Sequence, residues 1–480
     1  MSLSRQLKLG TSSQSSSRIL LLLCTFLFAW AAVDLPSCVA QSLTVRTPAS
    51  DEYLNSPRVA AHNAWMLMAS MLVLFMTAPG LAMYYGGLVR KKNVLSVLMQ
   101  CIFLMALMTV LWALVGYSWA FGGRGWLFGN ADYLCMRGVA RFWDVASGQP
   151  LTPMFDDVLP RMTHMLFQCM YFIITPAIIC GAFAERMKFS AMVMFSVLWG
   201  LLVYCPLAHW VWGGGFLTYG PGLLGGSLDF AGGTVVHISS GVAALVAALT
   251  IGPRLGHRQE PMPPHNLTYT ALGAALLWCG WFGFNTGNAL RINGVASSAF
   301  MATHFSAAAG ALAWAACECW QRSRPSVLGT STGALAGLVC ITPGAGFVGP
   351  MAALLMGAVA GIGCFLACYR LKRLLGYDDS LDAFGVHAIG GTLGSLMTGV
   401  FATRAAWNVG GGHTLGALEG NWQAMQGQLV ACSIAWFYVA LVTFLLLKII
   451  DVTLGLRVNS TMERQGLDVT QHGEEGYIYL

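Results

Sequence analysis

Charge is what this sequence has least of. Of its 480 residues, 26 are Lys or Arg and 20 are Asp or Glu, so 10% of the chain is charged, against about 25% in a typical soluble domain. With 56% hydrophobic residues and a mean hydropathy of +0.64, it cannot bury its apolar surface as an ordinary water-soluble globule. The cysteines also fail to form a framework. There are fourteen, with no Cys-x-x-Cys pair, and Cys317 and Cys319 lack zinc-ligand spacing. Cys101, Cys169, Cys180, Cys279 and Cys432 lie inside apolar runs, where a thiol behaves as a small apolar side chain. Cys135 falls in a predicted outer loop without a partner, so no disulfide is expected. The chain has no P-loop, no Gly-x-Ser-x-Gly and no metal-ligand set. Nothing therefore points to an enzyme or to a cofactor. The formal charge of +6 does not imply a nucleic-acid partner, because the basic residues sit where membrane topology needs them.

What is present is a series of long apolar runs. Residues 1–41 read as a signal peptide: Arg5, Lys8 and Arg18 precede an apolar stretch from Ile19 to about Val33, and Cys38-Val39-Ala40 offers a small-residue cleavage site. The alternative is an uncleaved extra helix. Residues 42–60 are polar and are expected outside. Eleven apolar segments follow, near 64–87, 94–121, 161–184, 189–212, 230–252, 268–289, 295–318, 327–345, 349–369, 383–403 and 427–449. Each is of the order of the ~20 residues that cross a bilayer. The connections alternate in basic content. Arg90-Lys91-Lys92, Arg186 with Lys188, Arg254 with Arg258, Arg322 with Arg324, and Arg370 with Lys372-Arg373 share one side. The positive-inside rule makes that side cytoplasmic. The N-terminus is then extracellular, residues 61–450 form the membrane domain, and 451–480 form a cytoplasmic tail. The sequons at Asn266 and Asn459 both fall on the cytoplasmic side and are read as unmodified.

Two histidines lie within these spans: His237 in DFAGGTVVHISSG and His387 in DDSLDAFGVHAIGG. Each follows an aspartate. Small residues share their helix faces, Gly233 and Gly241 for the first, Ala383 and Gly391 for the second. An ionisable group inside a membrane span is costly and by default marks a solute or proton pathway. The fifth and tenth spans correspond if the chain is two halves of five helices, and an odd number inverts one half relative to the other, a common transporter plan. Polar glue between helices is the bland alternative, and haem ligation would call for a second histidine pair. His304 reads as a boundary residue. Phe167 and Tyr171, at i and i+4, share a helix face. If they, Trp212, Phe282 and Phe284 converge at an outer mouth, their faces would attract a small cation.

The runs LVLFMTAPGLAMYYGGLVRKKNVLS, GAFAERMKFSA, DFAGGTVVHISSG, GWFGFN, STGALAGLVCITPGAGFVGP, DAFGVHAIGG and GLRVNSTMERQGLDVTQHGEEGY occur in order. Over about residues 60–475 the chain resembles the ammonium transporter (Amt/Mep/Rh) superfamily, the Amt branch in particular. The resemblance implies an all-α polytopic membrane protein with eleven transmembrane helices, two inverted five-helix repeats plus a final helix. It also implies a homotrimer in the lipid membrane, in the plasma membrane. Ammonium, with methylammonium as a further candidate, would be recruited at an outer site of Phe167, Trp212 and Asn288, shaped by Asp229. A stacked aromatic pair beneath, Tyr171 and Phe284, would gate an apolar pore lined by His237 and His387. Asp382 would cap the tenth span as Asp229 does the fifth. Two residues depart from the family pattern, which has phenylalanine at Tyr171 and serine at Asn288. Ammonium would bind outside, lose a proton, and cross as ammonia. Electroneutral conduction of the Rh type is one alternative and an ammonium sensor signalling through its tail is another. Thr470 matches a threonine phosphorylated in plant-type relatives, so a kinase or other cytoplasmic regulator acting on the tail is a further expected partner.

Overall fold

A computed structural model describes residues 48–409 and 411–477; the signal-peptide reading of residues 1–41 lies outside them. Eleven apolar helices run in the order read from the sequence: α1 (Pro57–Leu88), α2 (Lys91–Phe121), α3 (Arg161–Phe183), α4 (Phe189–Val211), α5 (Gly233–Ile251), α6 (Leu267–Ala289), α7 (Gly294–Arg322), α8 (Val327–Ile341), α9 (Pro350–Leu375), α10 (Phe384–Phe401) and α11 (Trp422–Thr453). A span must be helical because no water in hydrocarbon satisfies its backbone groups. Ten of these are long and apolar enough to cross a membrane. The exception is α8, with 15 residues. It stops at Ile341 because Thr342-Pro343 begins a buried run of turns through Phe347, so the expected 327–345 segment is helical only in part. The long connection between α2 and α3 departs from an all-helical description. It carries a small antiparallel hairpin, β1 (Phe142–Asp144) against β2 (Gln149–Leu151).

Polar side chains at the helix starts satisfy the otherwise unpaired first-turn amides. Asn293 accepts from Ala296 N for α7 and Ser326 from Gly329 N for α8. The two sequon asparagines do the same: Asn266 accepts from Tyr269 N and Asn459 from Met462 N.

Helices α1–α5 and α6–α10 are the two five-helix halves, and α11 packs across α5 and α10. The central helix is α3, buried over 94% of its most apolar stretch, while α11 is buried over only 33%. Helices α5 and α10 cross in near backbone contact. A Cβ on Gly241 would lie 2.2 Å from Ala388 N, and one on Gly391 would lie 3.0 Å from both Gly233 O and the His237 Cβ. The small residues beside the histidines therefore bring two helices together, rather than clearing space for a solute.

Candidate functional site

His237 and His387 meet at this crossing. Their Nδ1 atoms are 3.1 Å apart and the rings lie nearly parallel, with centroids at 5.2 Å. One Nδ1 must carry the proton and the other must accept it, so the pair holds a single proton between them. Both histidines stand in a widened π-helical turn at the start of their helices, Gly233–Ile238 and Phe384–Ala388. Such turns are rare and recur at functional sites.

Each turn is held by an aspartate eight residues before its histidine. Asp229 Oδ1 accepts from Gly232 N and Gly233 N at 2.8 and 2.7 Å, and Oδ2 from Thr234 N at 2.7 Å. Asp379 Oδ2 accepts from Phe384 N at 2.7 Å. The expectation that Asp382 caps the tenth span is thus wrong. Its carboxylate faces the other way, in an ion pair with Lys372 at 2.6 Å. Its backbone is left-handed at φ 59°, which turns the chain before α10 begins. The repeated Asp-x7-His spacing was the signal in the sequence that identifies Asp379.

The paired histidines line a narrow cavity of about 20 Å³, walled by Tyr84, Tyr85, Ile174, Ile178, Trp281 and Phe284 among others. Among the described residues, no Asp, Glu, Lys or Arg lines it. That volume holds about one water-sized molecule. Buried polar atoms are normally paired, yet His237 Nε2 has no partner among the described residues. Its ring stacks at 5.5 Å on Trp281 and 5.9 Å on Phe284.

A second, open cavity of about 320 Å³ lies on the face opposite the basic loops. Trp212, Asp229 and Asn288 line that cavity, together with Phe121, Phe155, His164, Gln168, Phe230 and Trp407. Trp212 Nε1 donates to Asp229 O at 2.9 Å, fixing the indole. The carboxylate of Asp229 itself is consumed by the α5 amides. Phe167 does not line the cavity. It is fully buried, edge-on to Tyr171 at 5.2 Å, and packs where a Cβ on Gly287 would strike it. Phe282 also points elsewhere, stacked on Phe300 at 4.0 Å. His304 is not a boundary residue. It lies ten residues into α7 and packs against Trp278 and Phe282 on the outer surface of the helix.

His164 and Gln168 were missed by the sequence reading, although they share a helix face with Tyr171 at i, i+4 and i+7. His164 stacks flat on Phe155 at 3.6 Å, and its Nδ1 lies 3.1 Å from Tyr117 Oη.

The rings of Tyr171 and Phe284 touch at 4.3 Å, tilted by 45° rather than stacked, and both are buried. The Tyr171 hydroxyl donates to Phe284 O, and Asn288 Nδ2 donates to the same hydroxyl. Asn288 Nδ2 also reaches Phe284 O at 2.8 Å. The two departures from the family pattern are therefore one hydrogen-bonded unit.

On the basic face, the connections between the helices are locked by ions. Arg254 pairs with Asp378 at 2.8 Å and with Glu185 at 3.1 Å, and Arg90 pairs with Glu185 at 2.9 Å. Burial pushes the Glu185 carboxyl up, but Arg254 and Arg90 outweigh it and hold the group below the ordinary glutamate range. Asp378 behaves likewise under Arg254. The chain after α11 docks here rather than hanging free. Glu463 accepts from Leu255 N, Leu467 N donates to Asn93 Oδ1, and Asp468 Oδ1 accepts from Ser96 N at the start of α2. Thr470 is half-buried, its Oγ1 donating to Gly466 O at 2.7 Å.

Ten long apolar helices, a charge-free central cavity and an ion-locked face define a polytopic membrane protein of the transporter type. The sequence model of the Ammonium Transporter Family matches residues 64–477, and the chain belongs to that family. It is 46% identical over 413 residues to the Ammonium transporter of Bacillus subtilis (strain 168), covering 86% of this chain and 97% of the relative. It is 41% identical over 418 residues to that of Aquifex aeolicus (strain VF5), covering 87% and 93%. Among solved structures it superposes on Saccharomyces cerevisiae Mep2 with a TM-score of 0.75 and 34% identity, covering 85% of this chain and 89% of that one. A "Sensor Amt Protein" gives a TM-score of 0.76 at 26% identity, covering 86% and 99%.

Proposed function

We propose that this chain carries ammonium across the plasma membrane by binding the cation outside and conducting neutral ammonia past a histidine pair. The observation that carries the reading is the unpartnered His237 Nε2 beside a water-sized, charge-free cavity. An ion stripped of water there would be opposed by several kcal/mol, whereas a neutral amine is penalised far less. The outer cavity of Trp212, Asn288, Asp229 and their neighbours would hold ammonium by cation–π attraction and hydrogen bonding, with Phe167 acting only as the backing of Tyr171. Tyr171 and Phe284 would open to admit it, and the proton would be lost near them. Size alone barely separates ammonium from potassium, so selectivity would rest on directional hydrogen bonds and on deprotonation, which potassium cannot undergo.

In this reading the basic face is cytoplasmic, the working form is a homotrimer, and the docked tail regulates the inner mouth. A phosphate on Thr470 would break its bond to Gly466 and add charge beside Glu474 and Glu475, releasing the segment. The test is isotope uptake and current measured together on purified protein in liposomes. Saturable ammonium uptake, with potassium excluded, supports the reading; accompanying current marks separate proton transfer and its absence marks electroneutral conduction. A protein that binds ammonium but moves neither isotope nor charge would instead be a sensor.

A further inference from the structure

One wall of the outer cavity comes from outside the membrane spans. Phe155 belongs to the long connection between α2 and α3, yet it lines this cavity with His164, Gln168 and Asn288. One face of its ring lies flat on His164, at 3.6 Å with 6° between the planes. Among the described residues no other ring lies against it. The ring therefore lines the cavity with what His164 leaves uncovered, its second face and its edge. Along α3 the wall continues inward, because His164 and Gln168 share a helix face and Gln168 lies one turn nearer Tyr171. Gln168 is only 4% exposed, and its Oε1 has no partner among the described residues. A buried amide oxygen left open on a cavity is suited to a ligand that donates hydrogen bonds.

Two arginines hold the chain on either side of Phe155. Before it, Arg161 N donates to Pro153 O at 2.9 Å and Arg161 Nη2 to Met154 O at 3.0 Å. After it, Asp156 Oδ1 accepts from Val158 N and Leu159 N at 2.9 and 2.8 Å, while Oδ2 accepts from Arg291 Nη2 at 2.6 Å. Val158 and Leu159 are buried, so the carboxylate is fixed by its own turn as well as by Arg291. A partly exposed ion pair adds little stability; the effect of this one is positional. Arg291 lies in the α6–α7 connection, next to Leu290, which lines the same cavity. The pair thus ties a loop of the first half to a loop of the second and sets where Phe155 stands relative to the Asn288 turn.

We infer that Phe155 is a substrate-contacting residue, receiving ammonium on entry between its ring and the Gln168 amide oxygen, and that Asp156 and Arg291 are positioning residues that hold the ring there. The inference rests on the reading that the outer cavity binds ammonium. The ring attracts the cation through its quadrupole, more strongly as water is removed, and Gln168 Oε1 accepts one of its N–H groups. The loop then contributes to affinity and not to the rate of passage through the spans.

Concentration-dependent uptake of isotopically labelled ammonium, in proteoliposomes containing the full chain, tests this. Phe155→Leu should raise the half-saturating concentration about three- to tenfold while the maximal rate stays within about twofold. Phe155→Tyr, which keeps the ring, should recover most of that loss. Arg291→Gln supplies a test of sign. If Asp156 acted only as a negative charge near the mouth, freeing it from Arg291 would lower the half-saturating concentration. Loss of the positioning pair should instead raise it about two- to threefold, and Arg291→Lys should restore it. Arg141→Gln, which breaks an exposed pair with Asp51 on the same face, should change nothing. A half-saturating concentration for Phe155→Leu within about 1.5-fold of wild type, or a lowered one for Arg291→Gln, overturns the inference, while saturable wild-type uptake leaves the reading of the cavity standing. Wild-type uptake that does not saturate overturns that reading and the inference with it.

Discussion

The most informative perturbation is at the hydrogen-bonded unit that replaces the family's phenylalanine and serine. Tyr171→Phe deletes one hydroxyl and with it two bonds, the one donated to Phe284 O and the one accepted from Asn288. No buried acceptor is orphaned, because Asn288 Nδ2 still reaches Phe284 O at 2.8 Å. A net hydrogen bond is worth about 0.5–1.5 kcal/mol in water-soluble proteins and averages about 0.6 kcal/mol between membrane helices. Stability should therefore fall by about 1 kcal/mol. Asn288→Ala should cost a similar amount, and the double variant should cost about 0.5–1 kcal/mol less than the two single changes together, because their shared bond is lost only once. Unfolding of purified protein in mixed micelles reads all four corners of the cycle. Transport should move in the opposite direction. Swinging the Tyr171 ring away from Phe284 breaks its bond to the Phe284 carbonyl, so removing that bond should ease opening by about 1 kcal/mol and raise maximal ammonium uptake up to about fivefold. Additive stability changes within about 0.3 kcal/mol, or slower uptake by Tyr171→Phe with unchanged substrate binding, would refute the reasoning.

Three further outcomes follow from the geometry. Asp379→Ala should destabilise the protein by about 1–2 kcal/mol and lower uptake, because it frees the first-turn amide of α10 that positions His387, while Asp382→Ala should cost less than about 1 kcal/mol; thermal unfolding and uptake on both variants check the ranking, and the reverse order would contradict it. Gly241→Ala should cost about 3 kcal/mol or prevent folding, since its Cβ would meet the Ala388 backbone at 2.2 Å, and a variant of unchanged melting temperature would show that α5 and α10 do not cross as described. Thr470→Asp should loosen the segment after α11 and speed limited proteolysis there several-fold at unchanged global stability; equal digestion rates would count against a releasable tail.

Much of this architecture was legible because membrane spans announce themselves. Nine of the eleven helices start within three residues of where the apolar runs begin, and the positions of His237 and His387 were clear because charge-capable groups are rare in such runs. What could not be read was geometry set by tertiary contact. The short α8 looked continuous because the buried turns after Ile341 are as apolar as a helix. The resemblance points to Asp382 as the cap of the tenth span, whereas the equal spacing of Asp229 and Asp379 from their histidines points to Asp379. Phe167 was placed in the outer site by resemblance, yet Gly287 lets it sink against α6 behind Tyr171. The coupling of Tyr171 to Asn288 joins two helices 117 residues apart in sequence, and no local pattern reports it.

The central claim is that the proton-sharing histidine pair, not the width of the passage, admits ammonia and rejects metal cations. The most direct measurement is simultaneous ammonium and potassium flux through His237→Ala/His387→Ala in proteoliposomes, with fold verified by an unchanged elution and unfolding profile. The account predicts that the variant loses its discrimination, with ammonium uptake reduced or carried as the ion and potassium flux appearing. Wild-type ammonium uptake with potassium still excluded would contradict it.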